Sequence, residues 1–215
     1  PALVNYPGMG SPTRFEELAS NVDIMPTALE LLGVPVPEGI DGHSWVPLIH
    51  GRPAKEREFV ATYVNGVDNG TIYATRAIQD HRYLLIYQPW SDGRLQFRAD
   101  SMTGLTFEAM QSAAQTDPKI ARRVQDYLFG VPVSFFDLQS DPGQRSNLLH
   151  DARHQERIAH MRRALLGEMQ RTKDPQLENI QLMIDGGKPV VVQPARKGRQ
   201  YQMPVEVHGP PRPSA

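Results

Sequence analysis

Two hydrophobic periods run through this chain. Glu58–Val64, Thr71–Ile78, Arg82–Tyr87 and Val133–Leu138 are short runs rich in β-branched and aromatic residues, and they read as strands. Asn65–Gly70 is the turn or loop after the first, and Asp80 and His81 lie in the short turn after the second. From Asp151 the period lengthens. Ile158, Met161, Leu165 and Met169 recur at the spacing of one helix face. The pattern predicts an α+β fold: a small antiparallel four-stranded sheet packed by a helix over 158–170.

The first 51 residues follow a different plan. Pro1–Gly8 is a short apolar strand closed by Pro-Gly, and Ser11–Ser20 is a connector. Asn21–Gly33 predicts a helix: Asp23 is placed to cap it, Pro26 falls in its first turn, and Gly33 stops it. Met25, Ala28, Leu29 and Leu32 share one face. A proline-rich linker, Pro35–Pro37, comes next. Between the third and fourth strands sits an insertion, 88–130, with helices near 104–115 and 118–129; Asp117 and Pro118 start the second. After Pro175 the expectation is a tail, 176–215. It holds a strand at Val190–Val192, a basic stretch at Arg196, Lys197 and Arg199, and a proline-rich end that wraps the domain or stays partly disordered. The expected division is therefore 1–51, 52–175 and 176–215.

Composition narrows the function classes. A net charge of −1 gives no pull toward nucleic acid or an anionic membrane surface. No apolar run approaches the ~20 residues of a bilayer-spanning helix. The absence of cysteine excludes disulfides, thiolate metal ligands and a cysteine nucleophile from the chain itself. It fixes no compartment. There is no basic-plus-apolar leader, which carries no weight if the chain is a fragment.

The strand–turn–helix corner at 133–149 carries a motif. Phe135-Phe136-Asp137-Leu138, then Asp141-Pro142, Gln144 and Asn147-Leu148, resemble the "LYDLxxDPxExxNL" line near the end of many sulfatases. Phe136 stands for the usual Tyr and Gln144 for the usual Glu. The first 51 residues strengthen the resemblance. Pro1–Gly8, then Val22-Asp23-Ile24 with Pro26-Thr27, Leu29 and Gly33, then Asp41-Gly42, Ser44, Pro47-Leu48 and Gly51 follow the order and spacing of sulfatase sequences. Tyr73, Arg76, Ile78 and Tyr83–Ile86 match a further family stretch. Gly104–Met110 and the place of the insertion resemble heparan N-sulfatase (N-sulfoglucosamine sulfohydrolase)-like members. Each residue also has a structural reading: Asp23 as a cap, Thr27 and Leu29 as packing, Asp41-Gly42 as a turn.

The resemblance implies the C-terminal region of a sulfatase of the alkaline-phosphatase superfamily, with residues 1–51 the last strand and helix of its α/β domain. It implies a parent that hydrolyses sulfate ester or N-sulfate groups of a sulfated sugar or glycosaminoglycan fragment. Formylglycine would be the nucleophile and calcium would hold the sulfate. Both would lie in a missing N-terminal catalytic domain, leaving this segment without catalytic or metal residues and silent alone. Members are often periplasmic, secreted or lysosomal, which fixes no location here. Ser11-Pro12-Thr13-Arg14 lacks a residue of the serine form of the nucleophile motif and reads as loop. Asp68-Asn69 imitates the family's calcium pair but falls after the first strand, where a turn explains it. His150 and His154 are four apart, without a third ligand.

The segment's expected share is to wall the substrate cleft. Asn65, Asp68 and Asn69, with Arg76 and His81, are the candidate sugar contacts. Arg76 pairs with a sulfate or carboxylate, or else fixes a domain interface. Arg153, Arg157, Arg162, Arg163 and Arg171 either meet an anionic glycan or form a solvated face with Glu156 and Glu168. Two rival functions stay open: a phosphodiesterase or phosphomutase of the same superfamily, and a non-catalytic glycan-binding or interaction module.

Overall fold

A computed structural model describes residues 3–5, 14–66 and 71–191. The chain divides into two compact units, residues 1–60 and 61–215. Most of the Pro1–Gly8 strand, the Ser11–Thr13 part of the nucleophile-like loop, and Val192 with the basic stretch after it lie outside the described residues.

In the first unit a single 3-10 turn, Asn21–Asp23, leads into α1 (Ile24–Leu31), and a four-residue helix, α2 (Val46–Ile49), follows. Gly33 ends α1 as expected. Its φ of 67° is open to glycine, and the Val34 N–H reaches back to the Leu29 carbonyl at 2.9 Å. The apolar face of α1 is not its buried one. Met25 and Leu32 are 52% and 76% exposed, whereas Asp23, Pro26 and Thr27 are buried. The buried face is set by Asp23, whose carboxylate gathers donors from four places in this unit. The expected boundary at 51 falls before Arg57, whose ion pair with Asp23 ties 52–60 to this unit.

The second unit is the sheet and its covers. β1 (Val60–Gly66), β2 (Ile72–Gln79), β3 (Tyr83–Tyr87) and β4 (Val133–Asp137) lie in that order. β2 pairs with β3, and β3 with β4, antiparallel. The registers Ile78↔Leu85 and Leu85↔Phe135 put these three side chains on one face. α5 (Gln155–Arg171) packs on β2 and β3. Its predicted stripe holds: Ile158, Met161, Leu165 and Met169 are each at most 1% exposed.

The insertion covers the other face. Tyr73 stands edge-on to Trp90 and Phe97, with its hydroxyl on the Gln96 carbonyl. α3 (Leu105–Ala113) and α4 (Pro118–Phe129) close a small core of Met102, Phe107, Val124 and Leu128. Asp117 caps α4 by accepting from the N–H groups of Lys119 and Ile120, as its position predicts. Beyond Pro175 the sequence suggested no helix, yet α6 (Leu177–Ile184) forms and buries Ile180 fully. Its eight residues give the 3.6 period only two turns, too few to stand out from a tail.

Candidate functional site

The residues expected to meet a sugar are not gathered. Asn65 lies near the end of β1, on the strand itself rather than in the following loop, and it is exposed. Asp68 and Asn69 lie outside the described residues. His81 is exposed in the turn at the far end of β2. At about 3.3 Å per residue, β2 separates the two turns by roughly 25 Å. A single sugar ring cannot touch both ends.

Arg76 sits between them and is 1% exposed. Its Nε and Nη2 donate to the two carboxylate oxygens of Asp174 at 2.6 and 2.9 Å. Nη1 donates to the carbonyls of Val64 and Thr75, and the guanidinium lies over the Tyr63 ring. The donors that would bind a sulfate are already directed into the protein. In this arrangement Arg76 joins β1 and β2 to the segment after α5.

A second pin lies at the other end of α5. Asp80 ends β2, accepts the N–H groups of Arg82 and Tyr83, and pairs with Arg157. Midway, Arg162 donates to the Tyr87 hydroxyl at 2.8 Å. Arg153 pairs with Asp151 and Arg171 with Glu168. Arg157 and Arg162 thus fasten α5 to the sheet, while Arg153, just before the helix, and Arg171 form local surface pairs. His150 precedes α5, and His154 lies beside the rings of Tyr83 and Phe135.

The Asp-Pro…Asn-Leu corner has a structural account. Asp137 accepts from Arg82, whose guanidinium outweighs the cost of burial and, with donors from Ser140 and Gln139, holds the carboxyl far below its usual range. Asp141 accepts the N–H groups of Arg145 and Ser146, closing the turn. Asn147 then acts like a piece of strand beside β4. Its Oδ1 accepts from Phe135 N–H at 2.9 Å and its Nδ2 donates to the Val133 carbonyl at 3.0 Å, while Leu148 N–H bonds the Phe135 carbonyl. An edge that would stand open is occupied by the corner itself.

The first unit holds a dense polar cluster around Asp23, whose place before α1 suggests only a cap. Asp23 is fully buried and does not cap α1 with its side chain. It accepts from the backbone N–H of Ser20 and of His43 at 2.8 Å each, from the Trp45 indole at 3.2 Å, and from both Nη atoms of Arg57. Burial pushes its pKa up, but Arg57 and these backbone donors together hold it below the ordinary value. Thr27 completes the clasp, donating to the Asp23 carbonyl and accepting from Trp45 N–H at 2.9 Å. Burial and the nearby charges of Arg57 and Lys55 lower the pKa of His43. Asp-Gly at 41–42 works here by close approach: a Cβ on Gly42 would stand 2.0 Å from the Val22 carbonyl oxygen.

Among the described residues no group of three or more His, Cys, Asp or Glu is placed to hold a metal ion. Among them, too, no helix is long and apolar enough to cross a membrane.

Comparison with known proteins gives these features a setting. The family model described as "N-sulphoglucosamine sulphohydrolase, C-terminal" matches residues 1–93. The chain is 26% identical over 155 residues to an ulvan-active sulfatase of Formosa agariphila, covering 69% of this chain and 28% of that protein. To human arylsulfatase A it is 27% identical over 150 residues, covering 69% and 26%. Among solved structures, a 2-O GAG sulfatase aligns with a TM-score of 0.49 at 21% identity, over 71% of this chain and 25% of that one. The chain spans about a quarter of the length of the curated relatives it matches.

Proposed function

We propose that this chain, which carries the C-terminal region of a sulfatase, belongs to a parent enzyme that hydrolyses sulfate ester or N-sulfate groups of a sulfated sugar. The observation that carries the reading is the family match over residues 1–93. That stretch contains the Asp23 clasp and the first three strands of the sheet. The formylglycine nucleophile and calcium ion typical of the family belong, in this reading, to the part of the parent outside this chain. The segment's own contribution is mechanical. The Asp23 clasp holds α1, and the two ion pairs around α5 hold the sheet whose turns wall the cleft.

Of the expected sugar contacts, Asn65 and His81 lie at opposite ends of β2, so in this reading one end of the strand forms the wall and not both together. Arg76 serves that wall by fastening it. The test is sulfate release from N-sulfated and O-sulfated glucosamine by the full parent and by the 215-residue chain. Turnover by the parent and none by the chain is expected. A parent that cleaves phosphodiesters and releases no sulfate, or a chain that turns over alone, overturns the proposal.

A further inference from the structure

The dipeptide that ends β1 is chemically labile. Asn65 is followed by Gly66, and both are exposed at the last two positions of the strand. An asparagine side chain can close a five-membered ring with the next backbone nitrogen. The following side chain is the main hindrance to that closure, and glycine has none. Asn5, Asn21, Asn147 and Asn179 are followed instead by Tyr6, Val22, Leu148 and Ile180.

The fold widens this difference. The Asn147 side chain is held by the N–H groups of Phe135 and Leu149 and by the Val133 carbonyl. The Leu148 N–H, which would have to attack it, is bonded to the Phe135 carbonyl. The Asn179 side chain clips the N–H and carbonyl of Val190, and the Ile180 N–H bonds the Gln176 carbonyl. At both sites nucleophile and electrophile are tied down. Asn65 instead lies on an edge strand next to β2, exposed from Thr62 to Gly66. Strand ends of this kind open locally at small cost. The glycine is also required by packing. A Cβ on Gly66 would stand 3.0 Å from the Thr71 carbonyl oxygen. The close approach of Thr71 therefore keeps the labile pair in place.

We propose that Asn65 is a site of spontaneous deamidation. The Gly66 nitrogen loses its proton to solvent base and attacks the Asn65 side-chain carbonyl carbon. A new C–N bond forms, the bond to the side-chain nitrogen breaks, and that nitrogen leaves as ammonia with a proton from water. Water then opens the succinimide at one carbonyl or the other. One opening gives aspartate. The other gives isoaspartate, in which the main chain runs through the former side chain. The net exchange is ammonia for water, with no oxidant or reductant. A neutral amide becomes a carboxylate, next to the Val64 carbonyl that Arg76 binds. The modification itself is independent of the sulfatase reading. Its consequence rests on that reading: a carboxylate on the cleft wall repels a sulfated sugar.

Ageing the native 215-residue chain in mildly alkaline buffer tests it. Tryptic peptides are read by mass spectrometry, with fragment ions separating Asn65 from Asn69, which also precedes a glycine. Asn65 is expected to convert about tenfold or more faster than Asn21, Asn147 and Asn179. Conversion at Asn69 alone would overturn the proposal. So would an Asn65 that converts only after the chain is unfolded in urea, since the strand would then hold it. In the parent, Asn65→Asp is expected to raise KM for an N-sulfated glucosamine severalfold, with kcat little changed. An unchanged KM beside a converting Asn65 keeps the modification and sinks the place of Asn65 on the wall. A raised KM beside an unreacted Asn65 does the reverse.

Discussion

Arg76 and Asp174, 98 residues apart in sequence, meet as a two-point ion pair in which the side chains are 1% and 6% exposed. The pair joins the second strand to the chain just past α5. A buried pair of this kind resists the loss of one partner more than the loss of both, because a lone charge is left without water or counter-ion. Arg76→Ala or Asp174→Ala is expected to cost about 3–5 kcal/mol of unfolding free energy, and Arg76→Met with Asp174→Leu distinctly less than the sum. Urea denaturation of the four proteins checks this. Additive single losses would mean that the two side chains do not act as a unit. Arg76→Lys should rescue little, since an ammonium cannot reproduce the two-point geometry.

The Asp23 clasp makes the first unit sensitive to acid. Asp23 has a folded-state pKa below its ordinary value of 3.8. A carboxylate depressed by folding contributes stability that is fully present above the unfolded pKa. That stability is lost as pH falls through the folded one. The clasp should therefore be intact above about pH 4 and loosen below it. The indole N–H of Trp45, bonded to Asp23, reports on this by NMR. Its resonance should shift and its exchange quicken below pH 4. Asp23→Asn should show fast exchange already at neutral pH and little further change in acid. A Trp45 signal in the native protein that stays unchanged through acid titration down to the pH where the unit unfolds would contradict the assignment.

How much of this was legible in the chain depends on the range of the interaction. The α5 stripe, the Asp117 cap and the Gly33 stop are local, decided within a turn or two of sequence, and each is where its residues put it. The strands came out within two residues at their ends, because β-branched and aromatic runs bounded by turn residues are also local signals. Asp23 defeats that logic. Its partners lie 20 to 34 residues away at His43, Trp45 and Arg57, so a capping position concealed a buried anion. The same network turned the apolar side of α1 outward, which no helical period could announce. Arg76 is the parallel case in the sheet: its sequence neighbours say nothing of Asp174. The surviving hint for both was the family pattern, which kept Asp23, Thr27, Asp41-Gly42 and Arg76 in register.

Asn147 closes the β4 edge through three hydrogen bonds, to Phe135 N–H, Leu149 N–H and the Val133 carbonyl. The side chain is exposed, so water replaces part of what a truncation removes. Asn147→Ala is expected to cost about 1–2 kcal/mol and to speed exchange of the Phe135 amide specifically. Asn147→Asp should retain the two accepted bonds, lose the donated one, and fall between the two. If the Phe135 amide is as protected in Asn147→Ala as in the native protein, the corner is not what guards this strand edge.

Two glycines separate close packing from mere helix entropy. At Gly42 a Cβ would meet the Val22 carbonyl oxygen at 2.0 Å and its carbon at 2.6 Å. Backbone cannot swing aside as a flexible side chain can, so Gly42→Ala must push residues 41–43 away from the 3-10 turn before α1. The His43 N–H would then leave Asp23, and with it one of the donors that hold the carboxylate ionised. At Gly167, inside α5, nothing lies within 4 Å of the added carbon. There alanine removes unfolded-chain freedom and fits a helix better, for a gain of about 0.5–1 kcal/mol. Gly42→Ala should instead cost about 1–3 kcal/mol, felt in the first unit, with faster Trp45 indole exchange and unchanged protection along α5. Hydrogen exchange read residue by residue on the two variants decides the matter. The clasp account fails if Gly42→Ala leaves the Trp45 indole protected, or if both substitutions move stability in the same direction.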